Sequence, residues 1–190
     1  MEDIKKYFLK NLGEKRWNHT LRVLDTALEL GSTHGINKEK IRKAALLHDC
    51  GKFTDKSKLL KKAGSFDIIL DEIMTNNTDL IHGPLGARIA KKEFGIEDPD
   101  ILNAIEFHTT ARKNMSILEK LIFIADFIEP ERQFKGIEEV RTTAYKDIDR
   151  AIILAIDLTI DFLILKDKLI SLDAINARND LIIRLWKGVN

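Results

Sequence analysis

Apolar residues recur at intervals of three and four along almost the whole chain, the period of one helix face, with no hairpin or βαβ signal. The pattern predicts a short helix near residues 2–12 and a long one near 14–34 that stops at Gly35. Asn37 caps the next helix, KEKIRKAALLHD, whose end is marked by Gly51. Shorter helices are expected over Thr54–Ala63 and Asp67–Met74. Pro84 stands where a first helical position falls, just after His82, and opens PLGARIAKKEF. Asp98-Pro99 begins a helix running to His108, and Ser116 with Glu119 forms a capping-box pattern ahead of ILEKLIFIADFIE. The segments DIDRAIILAIDLTIDFLILK and DAINARNDLIIRLWK read as two more amphipathic helices. No linker, repeat or low-complexity stretch interrupts them. The expected fold is all-α, a single-domain helical bundle over residues 1–190.

Composition narrows the partners. A chain of 190 residues suits one domain with a substantial core. Its 31 Lys+Arg balance 30 Asp+Glu, so bulk charge does not indicate nucleic-acid or anionic-membrane binding. No apolar run approaches the ~20 residues that span a bilayer. The N-terminus MEDIKKYFLKNLGEKR lacks the apolar stretch of a secretory signal. The single cysteine, Cys50, excludes an intrachain disulfide and suits a reducing cytoplasm. It reads as a small packing residue. Residues 150–186 are apolar enough to serve a homodimer surface as readily as a core.

The candidate chemistry lies in the histidines. Four of the five stand in distinctive contexts: His19 in RWNHT, His48 in LLHDCGK, His82 in IHGPLGA and His108 in EFHTTAR. Asp49 follows His48 directly, and Asp126 interrupts the apolar run LIFIADFIEP. An ionised carboxylate among such neighbours needs a cation or a dense set of donors. Four imidazoles and two carboxylates suffice for a two-metal site of the kind that hydrolyses phosphate esters and anhydrides. The expected positions of His48-Asp49, His82 and His108 at helix ends let them converge on one pocket, with Asp49 able to bridge. His34, in the last turn before Gly35, reads instead as a helix-end residue.

The order His19, His48-Asp49, Asp126 resembles the HD superfamily of metal-dependent phosphohydrolases, and the intervening His82 and His108 resemble its binuclear members. RWNHTLRV, AALLHDCGK, HGPLGA, AIEFHTTAR, ADFIEPER and the late ARN are similar to the YqeK-type branch, symmetrical bis(5'-nucleosyl)-tetraphosphatases. The resemblance runs from about Arg16 to Asn179. It departs at Ala111, where a glycine is common, and at Ile81, where an aromatic often precedes the histidine in that branch. It implies an HD-type bundle with a metal-site core over about 16–132 and C-terminal helices over about 147–187. It further implies one metal on His19, His48, Asp49 and Asp126 and a second on Asp49, His82 and His108. Iron is the implied metal, while the ligand set alone also permits manganese, nickel or zinc.

The implied reaction is hydrolysis of diadenosine tetraphosphate to two ADP by a metal-bridging hydroxide. Lys52, in the HD-x-G-K pattern, and Arg132 are the expected catalytic cations beside Asp49. Arg16, Lys52, Thr109, Thr110, Arg112, Arg132, Arg178 and Asn179 are the candidate substrate contacts. Arg16 could meet Asp126 or a phosphate; Thr109 and Thr110 could meet phosphate or cap a helix end. Arg178 and Asn179 could reach the pocket or tie the last helix to the core. An alternative is an HD phosphohydrolase for nucleoside phosphates or cyclic dinucleotides, although no Gly-Tyr-Pro signature follows an HD pair. A silent nucleotide sensor would be expected to have lost a ligand, and none is missing.

Overall fold

The computed structural model describes residues 1–32 and 34–188, and among these the regular structure is entirely helical. Its centre is α8 (Ile117–Ile128), which is apolar on nearly every face and therefore buried from several sides. Leu118, Leu121, Ile122, Ile124 and Ala125 of α8 are fully enclosed. α2 (Glu14–Gly31), α7 (Pro99–Glu106) and α10 (Ile148–Leu165) pack directly on it. α3 (Lys38–Leu47) lies across α2, and α6 (His82–Phe94) lies against α7. α1 (Glu2–Asn11), α4 (Lys56–Ser65), α5 (Glu72–Asn76), α9 (Ile137–Ala144) and α11 (Leu172–Gly188) complete the bundle. No helix is long and apolar enough to cross a membrane among the described residues.

Local capping explains where most helices begin. Asn37, Asp98, Ser116 and Asp147 each accept a backbone N–H of the first turn from their own side chains. Asp55 and Asp71 do the same for α4 and α5. These two helices therefore start later than the apolar pattern predicts. Asp67 has left-handed backbone (φ 52°), which separates α4 from α5. The capping box at Ser116 is half realised: Ser116 Oγ accepts from the Glu119 N–H, but the Glu119 side chain turns to Arg112.

Three expectations change. α2 ends at Gly31, so His34 lies in the following turn, exposed, and not in a last helical turn. α6 starts at His82, continuing a 3-10 turn over Thr78–Ile81. Pro84 is thus inside the first helical turn, where its missing N–H has no intrahelical partner to lose. α9 was not expected at all. It buries Ile137, Val140 and Ala144 against α10, a spacing of three and four that eight residues present only briefly.

Candidate metal centre

Five elements deliver the six acid and imidazole groups to one place. His19 is on α2, His48 terminates α3, and Asp49 lies in the turn that follows. His82 opens α6, His108 lies just past α7, and Asp126 is in the last turn of α8. His19, His48, Asp49, His82 and His108 are all buried. Their rings form a chain, with centroids 5.6 Å apart for His19–His48, 5.0 Å for His48–His108 and 4.9 Å for His108–His82.

Asp49 is the hinge of this arrangement. Its Oδ2 faces His48 Nε2 at 3.5 Å and His19 Nε2 at 3.8 Å. Its Oδ1 faces His82 Nε2 at 3.4 Å and His108 Nε2 at 3.7 Å. One carboxylate therefore addresses two separate imidazole pairs. Asp126 Oδ1 joins the first pair, 3.0 Å from His19 Nε2. Arg16 and Lys52 supply counter-charge to Asp49 at 2.7 Å and 3.4 Å.

The oxygen partners of the ring nitrogens show that these residues suit metal ions. His48 Nδ1 is 2.7 Å from the Ala45 carbonyl, and His108 Nδ1 is 2.7 Å from the Ile105 carbonyl. His82 Nδ1 meets the Asp79 carbonyl, and His19 Nδ1 meets Glu129 Oε1 at 3.2 Å. An oxygen acceptor at Nδ1 keeps the proton there and leaves a lone pair on Nε2, the arrangement that orients metal-bound histidines. All four Nε2 atoms then point lone pairs inward. Nε2 of both His19 and His48 is buried without a hydrogen-bond partner, an orphaned position that a cation would fill. The Nε2 atoms of His82 and His108 approach to 3.0 Å, two lone pairs face to face unless something positive intervenes. Thr109 Oγ1, at 3.1 Å and 3.2 Å, can donate to only one of them. Two sets of atoms, His19/His48/Asp126 and His48/Asp49/His108, each lie within 4.8 Å of one another. The donor set suits divalent cations.

Charge states agree with that reading. Burial alone would raise the Asp49 carboxyl, but its polar surroundings, with the Lys52 ammonium among them, hold it well below the ordinary range. Asp126 is likewise held low against burial, with the Arg132 guanidinium donating to it at 2.9 Å. Burial, helped by the Lys52 charge, lowers His82 to about 3. Its imidazole is therefore neutral and ready to coordinate. Burial raises the Cys50 thiol, which donates to the Gly86 carbonyl at 3.3 Å and stays inert packing. Each lowered group binds fewer protons folded than unfolded, so acid costs stability. For His82 that loss begins below the unfolded value of 6.5 and runs toward about 3. We expect the thermal midpoint of metal-free protein, followed by circular dichroism, to fall steadily on acidification through this window. His82→Asn should flatten the slope; a midpoint that rose with acid would contradict it.

A cavity of about 680 Å³ opens beside the cluster, lined by His19 and by the cations Lys15, Arg16, Arg22, Lys52 and Arg132. Three of the expected substrate cations, Arg16, Lys52 and Arg132, are therefore at its wall. Arg16 pairs with Asp49 and not with Asp126, which is held by Arg132 at 2.9 Å. Arg112 has another partner: its guanidinium grips the buried Glu119 at 2.7 Å through two nitrogens and stacks on Phe107. Arg178 pairs with Asp157 of α10, and Asn179 is exposed on α11. Neither lines the cavity. Thr110 Oγ1 donates to the Ala111 carbonyl at 3.0 Å. Ala111 itself has left-handed backbone (φ 58°), a conformation that glycine adopts without a Cβ penalty.

Glu129 was missed by sequence reasoning. It is buried, accepts from Arg22 Nε at 2.7 Å and anchors His19 Nδ1. The signal was present, since Glu129 lies three residues past Asp126, just beyond the end of α8, and Arg22 three past His19 on the same face of α2. Replacing Glu129 by glutamine keeps its shape but removes the charge that steadies the His19 ring. We expect Glu129→Gln to weaken metal affinity roughly 10–100-fold with the fold intact, read by competition with a chelating dye. Unchanged affinity would show that His19 needs no such support.

The bundle and its inward-facing His/Asp cluster define a metal-binding hydrolase scaffold, and the chain belongs to the HD domain family, which matches residues 16–131. A protein of Halalkalibacterium halodurans named "Bis(5'-nucleosyl)-tetraphosphatase, symmetrical" is 43% identical, covering 91% of this chain and 92% of its own. The Bacillus subtilis protein of the same name is 38% identical over the same shares. The crystal structure of a Clostridium acetobutylicum protein, described as a predicted HD superfamily hydrolase involved in NAD metabolism, superposes with a TM-score of 0.91. It is 45% identical, covering 96% of this chain and 97% of that one.

Proposed function

We propose that this chain hydrolyses diadenosine tetraphosphate symmetrically to two ADP, the activity named for its Halalkalibacterium and Bacillus relatives. The observation that carries the reading is the two-sided Asp49, set beside a cation-lined cavity. We assign His19, His48, Asp49 and Asp126 to one ion and Asp49, His82 and His108 to a second, and favour iron. When bound, such ions supply Lewis acidity at phosphoryl oxygens and activate water near neutral pH.

The chain's own residues do the rest. Arg16, Lys52 and Arg132 meet the charge of the phosphates from the cavity wall, the arginines in bidentate fashion where geometry permits. Asp79 and Glu129 hold the Nδ1 protons of His82 and His19. In the reaction, the oxygen of water bonds to one of the two central phosphorus atoms, and that atom's bond to the central bridging oxygen breaks. Both halves leave as ADP, a leaving group weak enough in basicity to need no dedicated acid, and the water protons pass to solvent.

The test is direct. Protein purified with its native metal is mixed with diadenosine tetraphosphate, and the products are separated by chromatography. Two ADP are expected. ATP plus AMP would overturn symmetric cleavage, and turnover of mononucleotides or cyclic dinucleotides alone would favour a different phosphohydrolase. Elemental analysis of the same preparation tests the iron assignment. We also place the protein in the cytoplasm, where Cys50 stays reduced. The exposed apolar residues Phe162, Leu165 and Leu172 support a homodimer, which light scattering would check.

A further inference from the structure

A second cavity, of about 310 Å³, adjoins the first and shares Phe53 as a wall. Its other lining residues are Lys6, Tyr7, Lys10 and Asn11 of α1, with Lys62 of α4 and Glu93 of α6. Lys62 is committed to Glu93 at 3.1 Å. Among the described residues Lys6 and Lys10 have no carboxylate partner, so their charge is free for an anionic guest. Tyr7 is fixed by donating to the Cys50 carbonyl at 2.9 Å, and its ring packs edge-on to Phe94. The α1 residues lie outside the HD domain match at 16–131, so the general scaffold does not require them.

The chain links the two cavities directly. Asp49 holds Lys52, Lys52 lines the first cavity, and Phe53 follows as the partition to the second. The function proposed above needs room for two nucleoside halves on either side of the bond that breaks. One half fits the larger cavity beside His19. We propose that the smaller one is the subsite for the other nucleoside half, its base against the Phe53 ring and its phosphates toward Lys6 and Lys10. A partly exposed aromatic between two basic cavities suits a purine, because any base offers a stacking face. At about 310 Å³ the site falls at the lower end of small-ligand pockets, room for a nucleoside but not for a whole dinucleotide. The subsite would give the active centre a preference for a substrate with two nucleosides over a single ADP. It rests on the assignment of a dinucleoside tetraphosphate substrate.

The test compares ligands that fill one half or both. The metal-loaded protein and its Lys6→Gln/Lys10→Gln variant are titrated with ADP and with a diadenosine tetraphosphate whose central bridging oxygen is replaced by methylene. The variant should weaken the long ligand about tenfold while ADP stays within about twofold, since loss of two nearby charges is of that size. KM for diadenosine tetraphosphate should rise in parallel with kcat unchanged. Equal weakening of both ligands, or of neither, would overturn the subsite. Those outcomes are separable from failure of the proposed function, which would show as absence of diadenosine tetraphosphate turnover in the unaltered protein. If the unaltered protein binds the long ligand no better than ADP, the subsite fails as well.

Discussion

Asp49→Ala is expected to abolish both metal loading and hydrolysis. Its two carboxylate oxygens face different imidazole pairs, Oδ2 toward His48 and His19 and Oδ1 toward His82 and His108. Any pair of ions held by those histidines loses its shared anionic ligand at once. Removing a group on which the whole site depends costs activity by roughly four orders of magnitude or more. The same substitution strands Arg16 and Lys52 beside a hole with no counter-charge. Metal content by elemental analysis should drop toward zero, while the helical circular dichroism signal persists. Asp49→Asn is the sharper control, because it keeps the volume and removes only the charge. A variant that retained two ions per chain would show that Asp49 does not join the halves.

Gly51→Ala is expected to damage the site through the fold. A Cβ at Gly51 would stand 2.2 Å from the His82 carbonyl oxygen and 2.3 Å from the Gly86 nitrogen, both backbone atoms. No rotamer change relieves such a contact, so the turn after α3 must separate from the start of α6. That is the seam between His48-Asp49 and His82. Overpacking of this kind costs about 3 kcal/mol. The movement should also strip the second imidazole pair of its carboxylate. We expect a lowered urea midpoint together with loss of about half the bound metal. Gly83→Ala, whose Cβ would stand 2.3 Å from the Glu106 carbonyl oxygen, strains the neighbouring α6–α7 seam and should behave similarly. A variant of Gly51 that kept full stability would mean the seam can open without penalty.

The success of the sequence reading follows how local each signal is. Asn37, Asp98, Ser116 and Asp147 cap helices by bonds to residues two or three positions on, so their starts were visible along the chain. The end of α2 was less visible, because Gly31 and Gly35 are both local stops and the polar residues between them carry no apolar spacing to choose one. α9 escaped because its eight residues hold one short apolar face and their helical stability comes from packing on α10. Charged partners were the least legible. Arg112 and Arg132 are both near candidate ligands in sequence, yet one grips Glu119 and the other lines the cavity. An ion pair depends on which side chains the fold brings within a few ångströms, and chain proximity does not measure that.

By itself the sequence determined an all-α chain and the chemistry available to it. Imidazole and carboxylate in such contexts are ligand types whatever the fold, and an acid at Asp126 among apolar neighbours demands a partner before any coordinate is known. Only the tertiary structure decided how those groups are shared. It turned the two faces of Asp49 toward different histidines, set every Nδ1 against an oxygen, and brought in Glu129 to hold His19. The physical reason is that residue type sets which bonds a side chain can make, whereas helix packing sets which atoms come close enough to make them.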